Sequence, residues 1–288
     1  MECKCCKSDN LKSKYISGNK YFQCSDCNLL FSDIHSGNPT TEKIKKHYKI
    51  IDPYEQVALS KKRFFIKALD KIDLKKEDRR ILDIGCGYGY FLELANKKGW
   101  KVSGIEIIDG AIGVLKEKFI DSNTFYSSLE EANFSSNHFD AITLWDVLVL
   151  IDDPEKVLKE CFRILKQNGK IGIRVRNVFF QKFAYYIFSH LQILVTKFGI
   201  KNPSVFHKYC FSSISINKLL SRSKYKNIKI SNSPLTSGDP YGHSTVHFTV
   251  KLLKILIYII SNLVYFLTKK KLIIGPSLLI WAEKPCTE

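Results

Sequence analysis

Hydrophobic and polar positions change their period along the chain, and the change at Arg80 marks the start of the main predicted domain. Short apolar runs then alternate with segments of helical spacing, which is the pattern of a parallel sheet covered by helices. Asp153 as N-cap and Pro154 in the first turn begin the clearest helix, and Asn168-Gly169 is predicted to end it. We predict strands at 80–84, 101–106, 123–126, 139–145 and 170–176, and helices at about 88–98, 109–119 and 154–166.

The predicted fold class is α/β, with a Rossmann-like, doubly wound, mostly parallel sheet, a small N-terminal cysteine module and a helical insertion. Apolar residues at helical spacing, from Val57 to Leu69, indicate helices that link the module to the sheet. A helix at 212–221 and strands at 225–231 and 277–285 complete the pattern. The predicted divisions are a module at 1–35, linking helices at 36–78, a core at 79–178 and 212–288 with an apolar helix at 251–268, and an acceptor-lid insertion at 179–211.

The net charge of +17 is distributed unevenly. Basic against acidic side chains number 18 to 11 in residues 1–80, 12 to 14 in 81–180 and 15 to 3 in 181–288. The basic residues of the last third are nearly all lysine, which lacks the bidentate contacts of arginine, so nucleic acid is the less favoured partner. Five of the nine cysteines fall in the first 27 residues, and no secretory signal pattern is visible. We therefore expect a reducing, cytoplasmic compartment.

The segment ILDIGCGYGYFLELA, residues 81–95, joins an apolar strand to a helix pattern through three alternating glycines. Glycine lets the backbone turn sharply and lets a ligand approach, and the N–H groups at the helix start face that ligand. Tyr90 stands where G-x-G-x-x-G would have its last glycine, which disfavours a dinucleotide site. Asp83 and Glu106, each at a strand end, suit the ammonium and the ribose hydroxyls of a nucleoside that carries an amino acid.

These segments resemble the class I S-adenosylmethionine-dependent methyltransferases. The resemblance covers roughly 75–178 and includes ILDIGCGYGYFLE, GIEI, FDAITLWDVL and DDPEKVLKECFRILKQNGKIGIRV, with HKYCFSSISINKLL further on. It implies that Glu106 binds the ribose, that Ile107 packs against the adenine, and that Trp145 and Asp146 lie beside the methyl group. Ser128 and Leu129 stand where the family often has an acidic residue near the adenine amino group. The cofactor loop implied by the resemblance comprises Asp83, Gly85, Cys86, Gly87 and Gly89.

The chain departs from this family directly after the WDVL segment. Many relatives continue with Glu-His, whereas this chain has Val149-Leu150, so a base or metal ligand is missing there. The (Asp/Asn)-Pro-Pro-Tyr motif of amino-methylating relatives and a loop cysteine are also absent from this place, which leaves O-methylation as the default. His207 in SVFHKYCF is the best candidate base for a hydroxyl acceptor. Alternatively, His207 orders its loop by binding a backbone group, and Asp146 orients the acceptor.

Two cysteine pairs, Cys3-x2-Cys6 and Cys24-x2-Cys27, lie 17 residues apart at the N-terminus. Each pair can present two thiolates to one metal, which predicts a tetrahedral Zn²⁺ site in a zinc-ribbon-like module. Cys5 could replace one of the first pair, and two redox pairs without metal are the alternative. Zinc would fold a segment that is too short to hold a core by itself. Such modules bind nucleic acid, contact proteins or support a neighbouring active site.

Residues 251–271 (KLLKILIYIISNLVYFLTKKK) carry one thin polar stripe on an otherwise apolar helix. Three interpretations remain open for this helix and for the similar segment at 178–199. In the first, the two segments pack on the core as a lid over the acceptor. In the second, they lie in a membrane interface with their lysines at anionic headgroups, and in the third, their positive charge binds nucleic acid.

The sequence therefore predicts an S-adenosylmethionine-dependent methyltransferase with a zinc module. The expected acceptor is a hydroxyl of a glycan, a lipid-linked sugar or another small metabolite, with peripheral contact with an anionic membrane as an option. One alternative is an RNA base methyltransferase, because some relatives place a zinc module before the same fold. The other is a catalytically inactive module that binds the cofactor, which the missing Glu-His favours. The oligomeric state does not follow from the sequence.

Overall fold

The computed structural model describes residues 1–16, 18–32, 59–72, 77–119, 124–191, 206–236 and 248–286. Most of the linking segment predicted at 36–78 and the middle of the insertion at 179–211 lie outside these residues. Numbered in chain order, the helices are α1 (Leu59–Ile72), α2 (Tyr90–Lys97), α3 (Asp109–Lys118), α4 (Leu129–Ala132), α5 (Pro154–Ile164), α6 (Val178–His190), α7 (Ser213–Arg222) and α8 (Phe248–Leu267).

A seven-stranded sheet forms the centre of the molecule and confirms the predicted Rossmann-like α/β class. Its first five strands along the chain pair in parallel, while β11 runs antiparallel to both of its neighbours. In spatial order the strands are β10 (Lys226–Asn232), β11 (Ser277–Glu283), β8 (Leu165–Arg176), β7 (Phe139–Trp145), β4 (Arg80–Ile84), β5 (Lys101–Ile105) and β6 (Thr124–Tyr126). The adjacent strands β4, β5 and β7 bring their carboxyl ends to one edge, where a ligand site is expected in such sheets.

The helix after β7 begins as the sequence predicts but ends earlier. Asp153 caps α5 by accepting a hydrogen bond from the Lys156 N–H at 3.0 Å. The helix stops at Ile164, because buried Leu165 already pairs with Phe139 as the first residue of β8. The predicted strand at 170–176 is therefore the second half of a longer strand, and the predicted end of the helix at Asn168-Gly169 is wrong.

The N-terminal module forms its own antiparallel sheet from β1 (Leu11–Ile16), β2 (Asn19–Cys24) and β3 (Leu30–Ser32). A fourth strand, β9 (Tyr209–Cys210), comes from the segment that the sequence assigns to the acceptor lid. Phe31 of β3 stacks on Tyr209 with ring centroids 6.5 Å apart. The module is therefore completed by a distant part of the chain and shares the hydrophobic core of the central sheet.

Helix α8 lies along the edge strand β10. Asn232 Nδ2 donates to the Ser261 carbonyl at 2.9 Å, and the Tyr265 hydroxyl donates to the Ile230 carbonyl at 3.2 Å. Among the described residues, none of the helices combines the length and the apolar character needed to cross a membrane.

A nearly buried carboxylate, Glu155 in the first turn of α5, joins the module to the central domain. Its oxygens lie 3.3 Å from Lys7 of the module, 2.9 Å from Lys159 and 3.3 Å from Arg222 of α7. The Ser212 hydroxyl adds a hydrogen bond of 2.6 Å to the Cys27 carbonyl. The hydrogen bond from Lys159 outweighs the effect of burial and lowers the pKa of Glu155 to about 2.

We expect Glu155→Gln to lower the free energy of unfolding by about 2 kcal/mol, because it removes a charged acceptor shared by three cations. The native pKa lies below the unfolded value of 4.5, so the carboxylate stabilises the protein above pH 4.5. This stabilisation is lost as the pH falls towards 2. Thermal melts of both proteins at several pH values measure the difference.

The matched control is Glu160→Gln on the same helix. Glu160 pairs with Arg163 within α5 at 2.6 Å and, among the described residues, makes no bond to the module. Equal melting temperatures of Glu155→Gln and wild type at pH 7 would contradict the proposed junction.

Candidate functional site

The glycine loop follows β4 at the carboxyl edge of the sheet, as predicted. Gly85 and Gly89 have φ values of +72° and +76°, which side chains other than glycine rarely adopt. A Cβ added to Gly85 would lie 2.6 Å from Val147, and one added to Gly89 would lie 2.5 Å from Leu115. Both glycines are therefore required by the backbone conformation and by the packing of the loop against its neighbours.

Glu106 ties this loop to the end of β5. Its side chain accepts hydrogen bonds from the Gly87 N–H at 2.8 Å and from the Ile108 N–H at 3.2 Å. Burial nevertheless raises the pKa of this carboxyl, which is 5% exposed. Two bonds leave lone pairs for the hydroxyls of a ribose. Ile107, next in the chain, is 55% exposed and so presents an apolar surface on which an adenine could pack.

Asp83, at the end of β4, is a second buried carboxyl at this edge. The Thr143 hydroxyl donates a hydrogen bond to it at 2.6 Å. Burial raises the pKa of Asp83 to about 8 even though the Thr143 hydrogen bond lowers it, and the charge of Glu106 makes a small contribution to the increase. A bound cation would offset this cost. The two carboxyls therefore fit a ligand that brings ribose hydroxyls and an ammonium group.

Trp145 and Asp146 follow at the end of β7. The Trp145 ring packs at 5.1 Å from Phe64 and at 5.5 Å from Phe91, and among the described residues its buried indole N–H has no hydrogen-bond partner. Asp146 adopts a left-handed φ of +64°, and its carboxylate lies 3.1 Å from Arg174. The backbone of Asp146 is thus locally strained, and its ion pair with Arg174 helps to stabilise this conformation.

Arg174 is a residue at this site that sequence reasoning missed. It lies on β8, its guanidinium is stacked 5.3 Å from the Phe64 ring, and it donates to the Thr236 hydroxyl at 2.9 Å. A charged residue within an otherwise apolar strand, IGIRV, was the signal for it. Thr143 was also missed, because a threonine inside a buried strand reads as an ordinary β-branched residue.

Three further predicted cofactor residues have structural roles. The Ser128 hydroxyl caps α4 by accepting from the Glu131 N–H at 3.0 Å, and Leu129 is buried. Cys86 packs against Gly104, where an added Cβ would lie 2.6 Å from its sulfur. Contact between these residues and a cofactor stays a prediction.

His207 is buried in a segment that runs between the module and the loop after β7. On one side, the Ser32 N–H donates to the Lys208 carbonyl at 3.0 Å. On the other side, the Tyr209 N–H donates to the Val149 carbonyl at 3.2 Å. The segment of His207 is thus held beside the position where Glu-His is missing, and its role as a base stays a prediction.

The module brings four thiols together. The Sγ atoms of Cys3, Cys6, Cys24 and Cys27 all lie within 4.8 Å of one another, and Cys5 is outside this group. Two of these distances are 3.5 Å for Cys3–Cys27 and 3.6 Å for Cys6–Cys24. Thiolates about 2.3 Å from a tetrahedral zinc are separated by about 3.8 Å, so the residues present fit this metal.

Asp83→Asn is expected to weaken S-adenosylmethionine binding about 10- to 100-fold, because it removes a charged acceptor for the ammonium group. In the ligand-free protein the same change should raise the melting temperature above pH 8. The raised native pKa makes wild type lose stability as the pH rises from about 4 to about 8, and asparagine does not titrate. Calorimetric titration and thermal melts measure the two effects.

Asp140→Asn is the control, since Asp140 is equally buried but pairs with Lys166 at the other end of β7. This variant should bind the cofactor normally. Unchanged affinity in Asp83→Asn would show that Asp83 does not contact the ligand.

Cys24→Ser is expected to reduce the zinc content from one ion per chain and to destabilise the module by several kcal/mol, because structural zinc contributes directly to folding. Cys5→Ala should retain the metal, as Cys5 lies outside the group of four. Metal analysis by mass spectrometry measures both. Full zinc content in Cys24→Ser, or none in wild type, would overturn the assignment.

Curated proteins that match this chain include O-methyltransferases. The chain is 28% identical over 113 residues to a ubiquinone biosynthesis O-methyltransferase of Coxiella burnetii, a match that covers 38% of this chain and 48% of that protein. A protein of the same description from Dechloromonas aromatica is 30% identical over 104 residues, covering 34% and 45% of the two chains. The chain thus spans about half the length of the curated relatives it matches.

Solved structures show the same fold. Phosphoethanolamine N-methyltransferase 2 of Haemonchus contortus, in complex with S-adenosyl-L-methionine, superposes with a TM-score of 0.53 at 18% identity, covering 85% of this chain and 57% of that one. A SAM-dependent methyltransferase from Methanosarcina mazei gives 0.50 at 18% identity, covering 76% and 98%. A family described as methyltransferase domain matches residues 55–229. The chain, with its glycine loop and paired carboxyls within that range, belongs to this methyltransferase family.

Proposed function

We propose that this protein transfers the methyl group of S-adenosylmethionine to a hydroxyl oxygen of a small acceptor. The observation that carries the proposal is the pair of buried carboxyls, Asp83 and Glu106, on either side of the glycine loop. O-methylation is supported by the curated relatives, which are named as O-methyltransferases, and by the absence of an amino-methylating motif after β7. The acceptor class that we propose is a glycan, a lipid-linked sugar or another hydroxylated metabolite.

The residues present can divide the work of methyl transfer. S-adenosylmethionine, when bound, supplies an activated methyl group on a sulfonium. Glu106 would accept hydrogen bonds from the ribose hydroxyls, and Asp83 would accept one from the ammonium. His207 would take the proton of the acceptor hydroxyl, while Asp146, held by Arg174, would orient the acceptor.

The module has a supporting role in this proposal. Zinc held by the four thiols would join the segment before β1, which carries Cys3 and Cys6, to the turn between β2 and β3, which carries Cys24 and Cys27, and β3 pairs with β9. Because the Tyr209 N–H of β9 donates to the Val149 carbonyl, a folded module would position the loop that follows Asp146. The division into a zinc module, linking helices, a catalytic core and an acceptor lid is part of the same proposal.

A catalytically inactive module that binds the cofactor is the second candidate. Val149 is buried, and Val149 and Leu150 carry no group that could act as a base. In this case the glycine loop would bind S-adenosylmethionine without turnover.

We expect His207→Ala to lower kcat about 10²- to 10⁴-fold, because a positioned base contributes that much to a hydroxyl reaction. The measurement is transfer of a tritiated methyl group to a panel of glycosides, lipid-linked sugars and catechols. The low-pH limb of the kcat profile should disappear in the variant, whereas calorimetric affinity for S-adenosylmethionine should not change.

His190→Ala is the control, because His190 is exposed on α6 and bonds to the Tyr186 carbonyl. Full turnover by His207→Ala would exclude His207 as the base. Tight cofactor binding with no methylated acceptor in wild type would favour the inactive module.

A further inference from the structure

Helix α8 turns its polar side towards the protein and its apolar side towards solvent. Ser261 is 2% exposed, and Tyr258, Asn262, Tyr265 and Thr268 are half-buried. On the opposite side, six large apolar side chains are each more than half exposed: Leu252, Leu256, Ile259, Leu263, Phe266 and Leu267. A surface helix of a globular protein normally shows the reverse arrangement.

Specific bonds hold the helix in this orientation. The Ser261 carbonyl and the Tyr265 hydroxyl bond to β10, as described above. Asn232, which donates to Ser261, also accepts from the Gly275 N–H at 2.9 Å. The polar stripe is thus used to attach the helix to the sheet edge, and the six side chains, here called the outer face, are left facing solvent.

The exposed apolar surface continues beyond the helix. Leu272 and Ile274 are exposed in the segment that follows it. Asn177, at the start of α6, donates to the carbonyls of Ile273 and Gly275, which places the N-terminus of α6 beside this segment. Phe179 in the first turn of α6 is 44% exposed. An apolar area of this extent on a protein surface indicates an interaction site.

The charged side chains of α8 and of the segment that follows it are all basic. Residues 248–282 contain lysines at 251, 254, 269, 270 and 271 and no aspartate or glutamate. Lys254 is exposed within the helix, and Lys269, Lys270 and Lys271 are exposed directly after it. A second copy of this chain would bring two such sets of lysines together without an acidic partner. Nucleic acid would match the charge but would not cover six aliphatic and aromatic side chains.

We propose that the outer face of α8 binds the surface of an anionic lipid bilayer. The helix lies in the plane of the interface, because its polar side is attached to β10 and only one side is free to enter the lipid. The apolar side chains insert to the depth of the headgroup and acyl boundary, about 5–10 Å, and the flanking lysines contact the anionic headgroups. This binding needs neither cofactor nor methyl acceptor, so it stands or falls independently of the proposed activity.

The test is cosedimentation of the full chain with vesicles of phosphatidylcholine and phosphatidylglycerol in a ratio of 7:3. Wild type should bind these vesicles, bind pure phosphatidylcholine vesicles much more weakly, and be released by 500 mM salt. The triple variant Leu256→Gln, Ile259→Gln and Leu263→Gln should lose binding at least tenfold, because glutamine keeps the helix but removes the apolar area. Replacing Lys269, Lys270 and Lys271 by glutamine should weaken binding about 100-fold, since each lysine near the surface contributes roughly 1 kcal/mol.

The control replaces exposed apolar residues elsewhere, with Tyr15→Gln on β1 and Ile214→Gln on α7, and should bind as wild type does. Circular dichroism and S-adenosylmethionine affinity check that each variant is folded. Wild type that does not sediment with anionic vesicles at 50 mM salt would overturn the proposal. So would a dimer in analytical ultracentrifugation that the outer-face variant abolishes while vesicle binding is unchanged.

Discussion

Two carboxyl groups buried side by side at one edge of a sheet are the constraint on which the candidate site depends. Asp83 and Glu106 lie where solvent is largely excluded, so burial raises the cost of ionising each of them, and the charge of Glu106 adds to this cost at Asp83. The N–H groups of Gly87 and Ile108 donate hydrogen bonds to Glu106 and offset part of this cost. The same bonds hold the glycine loop in place. The loop is therefore shaped before any ligand arrives, which lowers the entropy lost on binding.

The central sheet and the glycine loop could be predicted because local signals and tertiary structure agree there. Each of these elements is specified by residues that are close together in the sequence. Examples are the alternating strand and helix periods, the Asp153 cap and the glycines at positive φ. The pairing of β9 with β3 and the contact of Arg174 with Asp146 could not be predicted. Both join residues that are distant in the sequence, and no local pattern specifies the partner.

Helix α8 shows a different limit of sequence reasoning. Its thin polar stripe was visible from residues 251–271, but the stripe alone does not say which side faces the protein. Ordinary expectation places apolar residues inside. Here the hydrogen bond from Asn232 and the hydrogen bond to Ile230, both residues of β10, hold the polar side of the helix against the protein, so the apolar side faces solvent. Which side of an amphipathic helix faces the protein thus depends on the neighbouring strand as well as on the helix's own sequence.

The late position of β9 has a consequence for how the protein is made. Three strands and all four clustered cysteines of the module leave the ribosome within the first 32 residues, yet the fourth strand ends at Cys210. At about 5–20 residues per second, roughly 10–35 seconds of synthesis separate the two. During that interval Phe31, buried in the finished protein, lacks its stacking partner Tyr209. The nascent module therefore has an open edge at β3, which can pair with a wrong strand until β9 has been made.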